Sequence, residues 1–413
     1  MAKHPLRKHA IPQASMAPGV VAMPLGVSLA CAALLLIAVI AGALPAPARA
    51  AEVRTIRVGP TRDVRTIAEA ARIVRDDDSV EVDAGTYRGD VAVWTRRNLS
   101  LRAVGGRVRL VADGAAAEGK AIWVIRGDGV SVQGFDFEGA RVEGRNGAGI
   151  RFESGSLRVR DCRFIRNQSG ILTGNDRNST LDVEDSEFAD LIQEDGQNHL
   201  LYAGTIERLS VTGSYFHHGA MGHLLKSRAA LNLIRYNRLT DEDGSASYEM
   251  EFPNGGVAHV IGNIVEQSAQ TENPQIVSYG AEGYRWPRNA LYLVNNTLVD
   301  GLPAGGVFLK VHPGAGPVRL LNNLLVGPGV LDAGTAEESA DFHVPPGVFA
   351  DASRHDYRLE PGAAARIGKA VAPGLADAQS LRPTREYSHP RATRLPQTPG
   401  LRPGAMQSVA PAR

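Results

Sequence analysis

The chain repeats one pattern at an irregular interval of roughly 21 to 33 residues. In each repeat, a short apolar segment is followed by a second segment that carries a polar or small residue and, two positions later, an apolar one. The first column holds Cys162, Ser186, Ser214, Asn237, Asn263, Asn296 and Asn323, and the second holds Phe164, Phe188, Phe216, Leu239, Val265, Leu298 and Leu325. Repeats of this length stack into a solenoid, because a single unit cannot bury its own apolar face.

Stacked repeats give both columns a physical use. An asparagine amide can hydrogen-bond to the asparagine one coil away, and the apolar side chains can fill a narrow interior. With these columns the sequence resembles the right-handed parallel β-helix superfamily of pectate-lyase-like proteins, over roughly residues 55 to 365. The resemblance implies an all-β fold, a single-stranded right-handed parallel β-helix. Plentiful glycine and scarce aromatic residues also suit short strands and tight turns.

A capping helix is predicted at the start of the solenoid. Within residues 66–74, Thr66 and Glu69 occupy capping-box positions, and three apolar residues share one helical face. An amphipathic helix there covers the open end of the first coil, which would otherwise expose its core. The sequence therefore predicts an all-β solenoid with an N-terminal capping helix.

Three regions are predicted along the chain. Residues 1–50 have a basic start, an apolar run and small residues before Ala50, which is the layout of a cleaved signal peptide or of an uncleaved membrane anchor. Residues 51–370 form the β-helix domain. Residues 371–413 are rich in proline and arginine and are predicted to be a disordered tail. An exported protein of this kind is expected to be secreted or periplasmic.

Net charge limits the expected partners, and cysteine content limits how the fold can be held together. The formal net charge is +1, so no global field favours nucleic acid, and a membrane is expected as a partner only if the N-terminal segment stays uncleaved. Beyond residue 50 only Cys162 remains, so packing without an internal disulfide has to hold the fold. A monomer is predicted.

Side chains alternate between inward and outward along each strand, so the repeats place an inward column of side chains next to an outward one. If Met250 points inward, then Leu201, Leu225, Val277 and Leu309 share its column. The next column then faces outward and holds Tyr202, Lys226, Glu251, Ser278 and Lys310, with Arg228 further along the same strand face.

The functional hypothesis is a site for an acidic, uronate-containing polysaccharide, the class of polymer that many proteins of the resembled superfamily bind. In β-elimination a base removes the C5 proton and an acid protonates the departing O4, while a cation neutralises the carboxylate. Lys226 is the predicted base if Arg228 favours its neutral form, and Arg228 could instead bind the uronate. Tyr248 or His223 is the predicted acid.

The segment "LLKSR" resembles the catalytic-lysine strand of alginate and chondroitin lyases that use a lysine and arginine pair with calcium. Only Lys226 matches that pattern. The family's arginine lies about one coil later, where this chain has Ala246, Ser247, Tyr248 and Glu249. C5-epimerisation shares the proton abstraction and is the sister possibility.

Further residues complete the predicted site. Glu249 breaks a column otherwise filled by aliphatic and aromatic residues. The insertion 281–289 contains aromatic residues close in sequence to cationic ones. The predicted substrate-binding residues are Tyr202, Glu249, Glu251, His199, Tyr284, Arg285 and Trp286. No cofactor is certain, but Asp241 and Asp243 in an acidic turn could bind calcium.

Two other classes of function stay open. Lys226 and Glu251 could form an ordinary ion pair on an exposed strand face, in a non-catalytic β-helix that binds glycan or serves an envelope structure. A glycoside hydrolase, which needs two carboxylates ~5–9.5 Å apart, is the third possibility.

Overall fold

The computed structural model describes residues 53–192 and 198–411. Three faces of parallel strands, each named here by number, wind around one apolar interior. Face 1 contains Thr55–Val58, Ser79–Arg88, Ser100–Val111, Val130–Gln133, Ser156–Arg160, Thr180–Glu184, Arg208–Thr212, Leu231–Arg235, Val257–Ile261, Ala290–Val294, Val318–Leu321 and Glu337–Ser339. Face 2 continues from the second half of Ser100–Val111 and contains Phe135–Glu138, Arg163–Ile165, Glu187–Ala189, Tyr215–His217, Arg238–Thr240, Ile264–Gln267, Thr297–Asp300, Leu324–Val326 and Phe342–Val344.

Face 3 is a separate sheet, and it carries the predicted site. Its strands are Ala92–Trp94, Ala121–Ile125, Ala148–Phe152, Ser169–Thr173, Leu201–Ala203, Leu225–Ser227, Met250–Phe252, Gln275–Tyr279, Val307–Val311 and Val330–Asp332. Each strand pairs in parallel with the strand of the next coil, as the sequence predicts. The fold is a right-handed parallel β-helix, which confirms the predicted fold class.

Beyond Val344 the strands are antiparallel, so the parallel coils end before the predicted domain end at residue 370. Three short hairpins follow: Phe349–Asp351 with Asp356–Leu359, Leu375–Ala376 with Gln379–Ser380, and Glu386–Ser388 with Ala392–Arg394. The helices of the described chain are Ile67–Ile73, Pro361–Arg366 and the 3-10 turns Pro346–Val348 and Ala352–Arg354.

The capping helix Ile67–Ile73 forms where the sequence predicts it. The Thr66 hydroxyl accepts a hydrogen bond from the Glu69 amide at 3.1 Å, which satisfies one orphan donor of the first turn. Ile67 and Ala70 are buried against the first coil, so the helix closes the end of the core.

The interior confirms both predicted columns. Phe137, Phe164, Phe188 and Phe216 stack on face 2 with ring centroids 5.0, 4.8 and 4.6 Å apart. Leu239 continues the column in register with Phe216. Stacked rings at about the coil spacing of ~4.8 Å bury apolar area at every step, so each coil supports the next.

The asparagine column forms a hydrogen-bonded ladder inside the turn. Asn263 Oδ1 accepts from the Asn237 amide at 2.9 Å and from Asn237 Nδ2 at 3.0 Å. Asn263 Nδ2 donates to the Ile234 carbonyl at 2.9 Å and to Asn296 Oδ1 at 3.0 Å. Asn323 repeats the contact with Asn296, so the ladder satisfies turn groups that are fully buried.

The segment 371–411 packs against the solenoid, which corrects the prediction of a disordered tail. The Val371 amide donates to Asn322 Oδ1 at 2.7 Å, and Glu386 is fully buried and accepts from Arg394 Nε at 2.8 Å. Its composition predicted disorder because it has little apolar area of its own. Its order comes instead from hydrogen bonds to the coils and from apolar side chains, among them Leu381 and Tyr387, that are buried in clusters with residues of the coils.

No helix in residues 53–192 and 198–411 is long and apolar enough to cross a membrane. The predicted signal peptide or anchor at 1–50 lies outside the described residues.

Removal of one ladder amide should destabilise the solenoid. We expect Asn263→Ala to lower the free energy of unfolding by at least about 2 kcal/mol, because two donors on Asn237 and the Ile234 carbonyl lose their partner inside the turn. Denaturant unfolding followed by circular dichroism measures the change. The exposed Asn178→Ala variant is the matched control, with an expected change within about 0.5 kcal/mol. Equal effects in both variants would contradict a structural role for the ladder.

A second prediction concerns His355, which joins the segment after the coils to face 2. Its Nε2 lies 2.8 Å from Glu242 Oε2 and its Nδ1 lies 2.9 Å from Glu266 Oε2. The hydrogen bonds with Glu242 and then with Glu266 raise the pKa of His355 to about 9. The stabilisation is therefore complete below the unfolded value of about 6.5 and is lost as the pH rises through about 9.

We expect the thermal midpoint of the wild type to fall more between pH 7 and pH 10 than that of His355→Gln. Thermal unfolding across this range measures the difference. The exposed His343→Gln variant should follow the wild type. Parallel pH profiles for wild type and His355→Gln would show that the histidine contributes nothing.

Candidate functional site

The outward column of face 3 has the predicted register. Tyr202 pairs with Lys226, and Lys226 pairs with Glu251 on the next coil. Because side chains alternate along a strand, the neighbouring Leu225 points into the core and is fully buried. The three polar side chains therefore lie in line along the axis, one coil apart.

Lys226, Glu251 and His223 form one compact cluster. Lys226 Nζ lies 2.9 Å from Glu251 Oε2, and His223 Nε2 lies 2.9 Å from the same oxygen. The side chains are 13%, 5% and 9% exposed, so this ion pair is shielded from solvent although it sits on an outward column. Burial opposes ionisation of Glu251, but its contacts with His223 and Lys226 prevail and lower the pKa of the carboxyl.

Arg228 is held by a second set of contacts. Its Nε donates to the Tyr202 hydroxyl oxygen at 2.8 Å, and its Nη1 donates to Asn254 Oδ1 at 2.5 Å. Its two terminal nitrogens donate to Glu282 at 2.6 and 2.8 Å, a bidentate pair that raises the pKa of the guanidinium. Lys226 Nζ also lies 3.7 Å from Glu282.

This arrangement places two carboxylates beside the predicted base. The sequence suggests that Arg228 favours a neutral Lys226 amine by charge repulsion. In the structure, Glu251 and Glu282 both lie within 4 Å of the Lys226 nitrogen. The assignment of Lys226 as the base stays a prediction.

A column of rings runs beside the charged column. The rings of His199 and His223 lie 4.5 Å apart, and those of His223 and Tyr248 lie 4.8 Å apart. The two histidine rings meet edge to face, with an angle of 62° between their planes. His199 Nδ1 accepts from the His223 amide at 3.1 Å. Burial and then the charges of its neighbours lower the pKa of His199 well below its ordinary value, and burial also lowers the pKa of His223.

These columns open into a groove of about 440 Å³ on face 3. The described residues that line this groove are Gly144, Arg145, Asn146, Arg151, Ser169, Leu172, Thr173, Asn175, His199, Tyr202, His223, Lys226 and Arg228. Among them are four cations and two histidines, and none is a carboxylate. The acidic groups that fix Lys226 and Arg228 thus lie behind or beside the lining.

Glu249 does not lie in this groove, which corrects its prediction as a substrate-binding residue. It is fully buried in the interior column of Leu224 and Ile276, and both of its carboxyl oxygens lack a hydrogen-bond partner. Burial raises the pKa of Glu249 well above its ordinary value, which favours the neutral acid. A group enclosed in this way cannot touch a polysaccharide.

The insertion 281–289 contributes support rather than a sugar platform. Tyr284 packs on Tyr279 and donates to the His312 carbonyl at 2.7 Å. Trp286 Nε1 donates to the Arg228 carbonyl at 3.0 Å, and Arg285 is exposed outside the groove lining. The predicted substrate contacts of Tyr284, Arg285 and Trp286 are therefore not part of the groove.

The acidic turn does not form a cage for calcium. Asp241 is buried and accepts from the Gly219 amide at 2.6 Å and the Ala246 amide at 2.7 Å. Asp243 is exposed and faces His218 Nε2 at 3.1 Å. Within residues 53–192 and 198–411, no group of three or more histidine, cysteine or acidic side chains could hold a metal ion. The calcium prediction therefore gains no ligand set from the described residues.

Sequence reasoning missed three contributors to the site. Glu282 and Asn254 hold Arg228 from loops whose lengths vary between coils, so the repeat gives no register for them. Arg151 lies in the segment 149–154, in the same outward column as Tyr202, with Leu172 between them. The alternation of the repeats extended by two coils places Arg151 there.

A larger cleft of about 620 Å³ lies on face 2 against the segment 386–406. Its four arginines and its two carboxylates all form ion pairs. Arg238 Nη2 lies 2.9 Å from Glu242 Oε1, and Tyr215 donates to the same oxygen at 2.5 Å. This saturated network joins chain segments, so we place the candidate site at the cation-lined groove instead.

Comparisons with known proteins address the fold. No family model and no curated protein matches the chain. Among solved structures, it is similar to pectate lyase Pel9A at 11% identity and a TM-score of 0.49, over 86% of this chain and 97% of that one. The strand pairing itself shows a parallel β-helix.

Two alginate lyases are also similar. A variant of the PL6 family enzyme AlyGC matches 70% of this chain and 47% of its own, at 14% identity and a TM-score of 0.36. An alginate lyase from Paenibacillus sp. str. FPU-7 matches 70% and 99%, at 11% identity and a TM-score of 0.27. Similarities this distant say nothing about substrate or reaction, and the fold assignment rests on the strand register.

The shielded ion pair leads to a stability prediction. Lys226→Met leaves the buried Glu251 carboxylate with fewer donors, so we expect a loss of about 1–3 kcal/mol in the free energy of unfolding at pH 7. Lys310→Met removes a pair on the same column whose Asp332 is half exposed, and it should cost no more than about 1 kcal/mol.

The pH dependence gives an independent readout of the same pair. Because the folded pKa of Glu251 is lowered, its stabilisation exists above the unfolded value of about 4.3 and is lost as the pH falls through the folded value. The difference between wild type and Lys226→Met should therefore shrink in acid, as measured by denaturant unfolding at several pH values. A difference that is constant with pH would contradict this account.

Proposed function

We propose that this protein is an exported enzyme that cleaves an acidic, uronate-containing polysaccharide by β-elimination. One observation carries the proposal: the groove on face 3 has four cations and two histidines in its described lining and no carboxylate. A lining of one sign, on a chain whose net charge is only +1, favours a polyanionic ligand. Arginine suits carboxylates in particular, because its planar fork binds them bidentately.

The reaction needs a base at C5, a neutralised carboxylate and a proton for O4. We assign the base to Tyr202, whose oxygen already accepts a hydrogen bond from Arg228 Nε at 2.8 Å, so negative charge on that oxygen has a fixed counterion. Lys226, one coil away, is assigned to the uronate carboxylate. As the phenolate, Tyr202 takes the C5 proton and becomes the neutral phenol, the electron pair of the C5–H bond forms the C4–C5 double bond, and the C4–O4 bond breaks. The proton then passes from Tyr202 to O4.

The groove lining also bears on two related activities, C5-epimerisation and hydrolysis. A C5-epimerase shares proton abstraction but returns a proton to the opposite face of the ring, so the polymer stays intact. A hydrolase needs two carboxylates at the bond to be cleaved, and the described lining has none. Epimerisation therefore stays within the proposal and hydrolysis does not.

A non-catalytic glycan-binding protein is the second candidate, and one observation favours it. Lys226 and Arg228 are already neutralised by Glu251 and Glu282, so the groove could hold a polymer without activating a proton. The same experiment separates the two functions. Binding with unchanged polymer length and unchanged C5 configuration favours the binding protein.

The test is incubation with alginate, glucuronan, hyaluronan and pectate, each with and without calcium, while the ultraviolet absorbance of the unsaturated product is followed. We expect absorbance to rise with at least one polymer. Tyr202→Phe should lower kcat by about 100-fold or more, since positioned acid–base groups contribute about 10²–10⁴-fold. Lys226→Ala should lower kcat/KM, and Lys310→Ala, outside the groove lining, should match the wild type.

Absence of absorbance with all four polymers, together with no C5 exchange with deuterated water, would exclude elimination and epimerisation on these substrates. Full activity in Tyr202→Phe would remove Tyr202 from the proposed mechanism.

A further inference from the structure

Arg151 lies half-buried in the groove. Its Nε is buried without a hydrogen-bond partner, and no carboxylate in residues 53–192 and 198–411 forms an ion pair with it. Arg235 on face 1 shares both properties, but its Nη2 donates to Gln379 at 2.7 Å. Arg126 and Arg228, on the same solenoid, each bind a glutamate at 2.5–2.8 Å. Partial burial of an unpaired guanidinium costs free energy, so such a group indicates a missing partner.

The position of Arg151 relates it to the candidate site. It lies in the same outward column as Lys226, in register with Leu172, which is in register with Tyr202. Three coil steps of ~4.8 Å separate Arg151 from Lys226 along the axis, a span of about 14 Å. Both residues line the one groove, and no carboxylate among the described residues lies in the lining between them.

The groove floor between the two cations is uncharged. Leu172 and Tyr202 occupy the intervening positions of the column. An apolar and an aromatic surface between two cations suits a chain of sugar rings, whose faces are apolar and whose carboxylates are spaced along the polymer. A single uronate is too short to reach both cations, so the ligand that fits is an oligomer.

We propose that Arg151 binds a second carboxylate of the same polysaccharide, at a subsite about 14 Å from Lys226. This inference takes its class of ligand, a uronate polysaccharide, from the proposed function, and it does not depend on the proposed reaction. Arg151 acts here as a specificity-determining residue for chain length and not as a catalytic one. Its Nε is buried, but its two terminal nitrogens are not among the buried atoms, so they can bind a carboxylate bidentately.

The experiment compares uronate oligosaccharides of increasing length, from dimer to hexamer, of the polymer type that the wild type binds or cleaves best. Isothermal titration calorimetry measures affinity for the full chain carrying Tyr202→Phe, so that cleavage does not consume the ligand. Arg151→Ala is then added to that background. Arg158→Ala is the matched control, since Arg158 is an exposed arginine without an ion pair on face 1.

We expect wild-type affinity to rise with length until the oligomer reaches Arg151. Arg151→Ala should weaken binding of the long oligomers by about 10- to 100-fold, the range for a charged hydrogen bond, and leave the dimer unchanged. Arg151→Lys should recover part of the loss, because it keeps the charge without the fork. Arg158→Ala should have no effect at any length. Thermal unfolding should show that all variants are folded.

Unchanged affinity of Arg151→Ala for every oligomer that the protein binds would overturn the subsite and leave the proposed reaction intact. Length-dependent loss of affinity without any cleavage or epimerisation by the unmutated chain would support the subsite and reject the reaction. Equal weakening by Arg151→Ala and Arg158→Ala would show a general charge effect and overturn the subsite. Failure of the unmutated chain to bind any uronate oligomer would overturn both.

Discussion

Register between parallel strands is the constraint on which the site depends. Backbone hydrogen bonds fix Tyr202, Lys226 and Glu251 opposite one another on three successive coils. Side chains alternate along a strand, so a slip of one residue would exchange the polar column for the column of Leu225. The buried asparagine ladder repeats the same spacing at the turn and ties each coil to the next. The position of every groove residue follows from this stacking.

A buried carboxylate fixes the geometry of the charged groups in this column. Glu251 occupies an outward position, yet it is only 4% exposed. One oxygen of Glu251 receives both Lys226 and His223, so neither side chain can rotate without leaving a buried charge. Glu282 fixes Arg228 in the same way from outside the repeat. Such fixed side chains pre-organise a site, because little rotamer entropy remains to be lost when a ligand binds.

The parts of this protein that repeat could be predicted, and the parts that depend on individual loops could not. Alternation and the repeat length give the interior column, the asparagine ladder and the Lys226–Glu251 contact. Glu282 comes from an insertion with no counterpart in neighbouring coils, so its partner could not be derived. Glu249 broke the column pattern, and the sequence-based interpretation placed it in a functional site, whereas the structure keeps it as a buried acid inside the core. A break in a pattern marks an unusual environment but does not tell which side of the strand it lies on.

The distribution of carboxylates explains why the groove lining is cationic on a chain with almost no net charge. One coil before Arg151, Lys120 and Arg126 are neutralised by Glu153 and Glu118. Beyond Lys226, the next outward residue is Glu251 itself. Between these coils, the described groove lining carries Arg151, Lys226 and Arg228 and no carboxylate, although Glu251 and Glu282 pair with the last two from behind or beside it. Cations spread over about 14 Å of the column would contact several charges of one polymer together, whereas an isolated anion would contact only one of them.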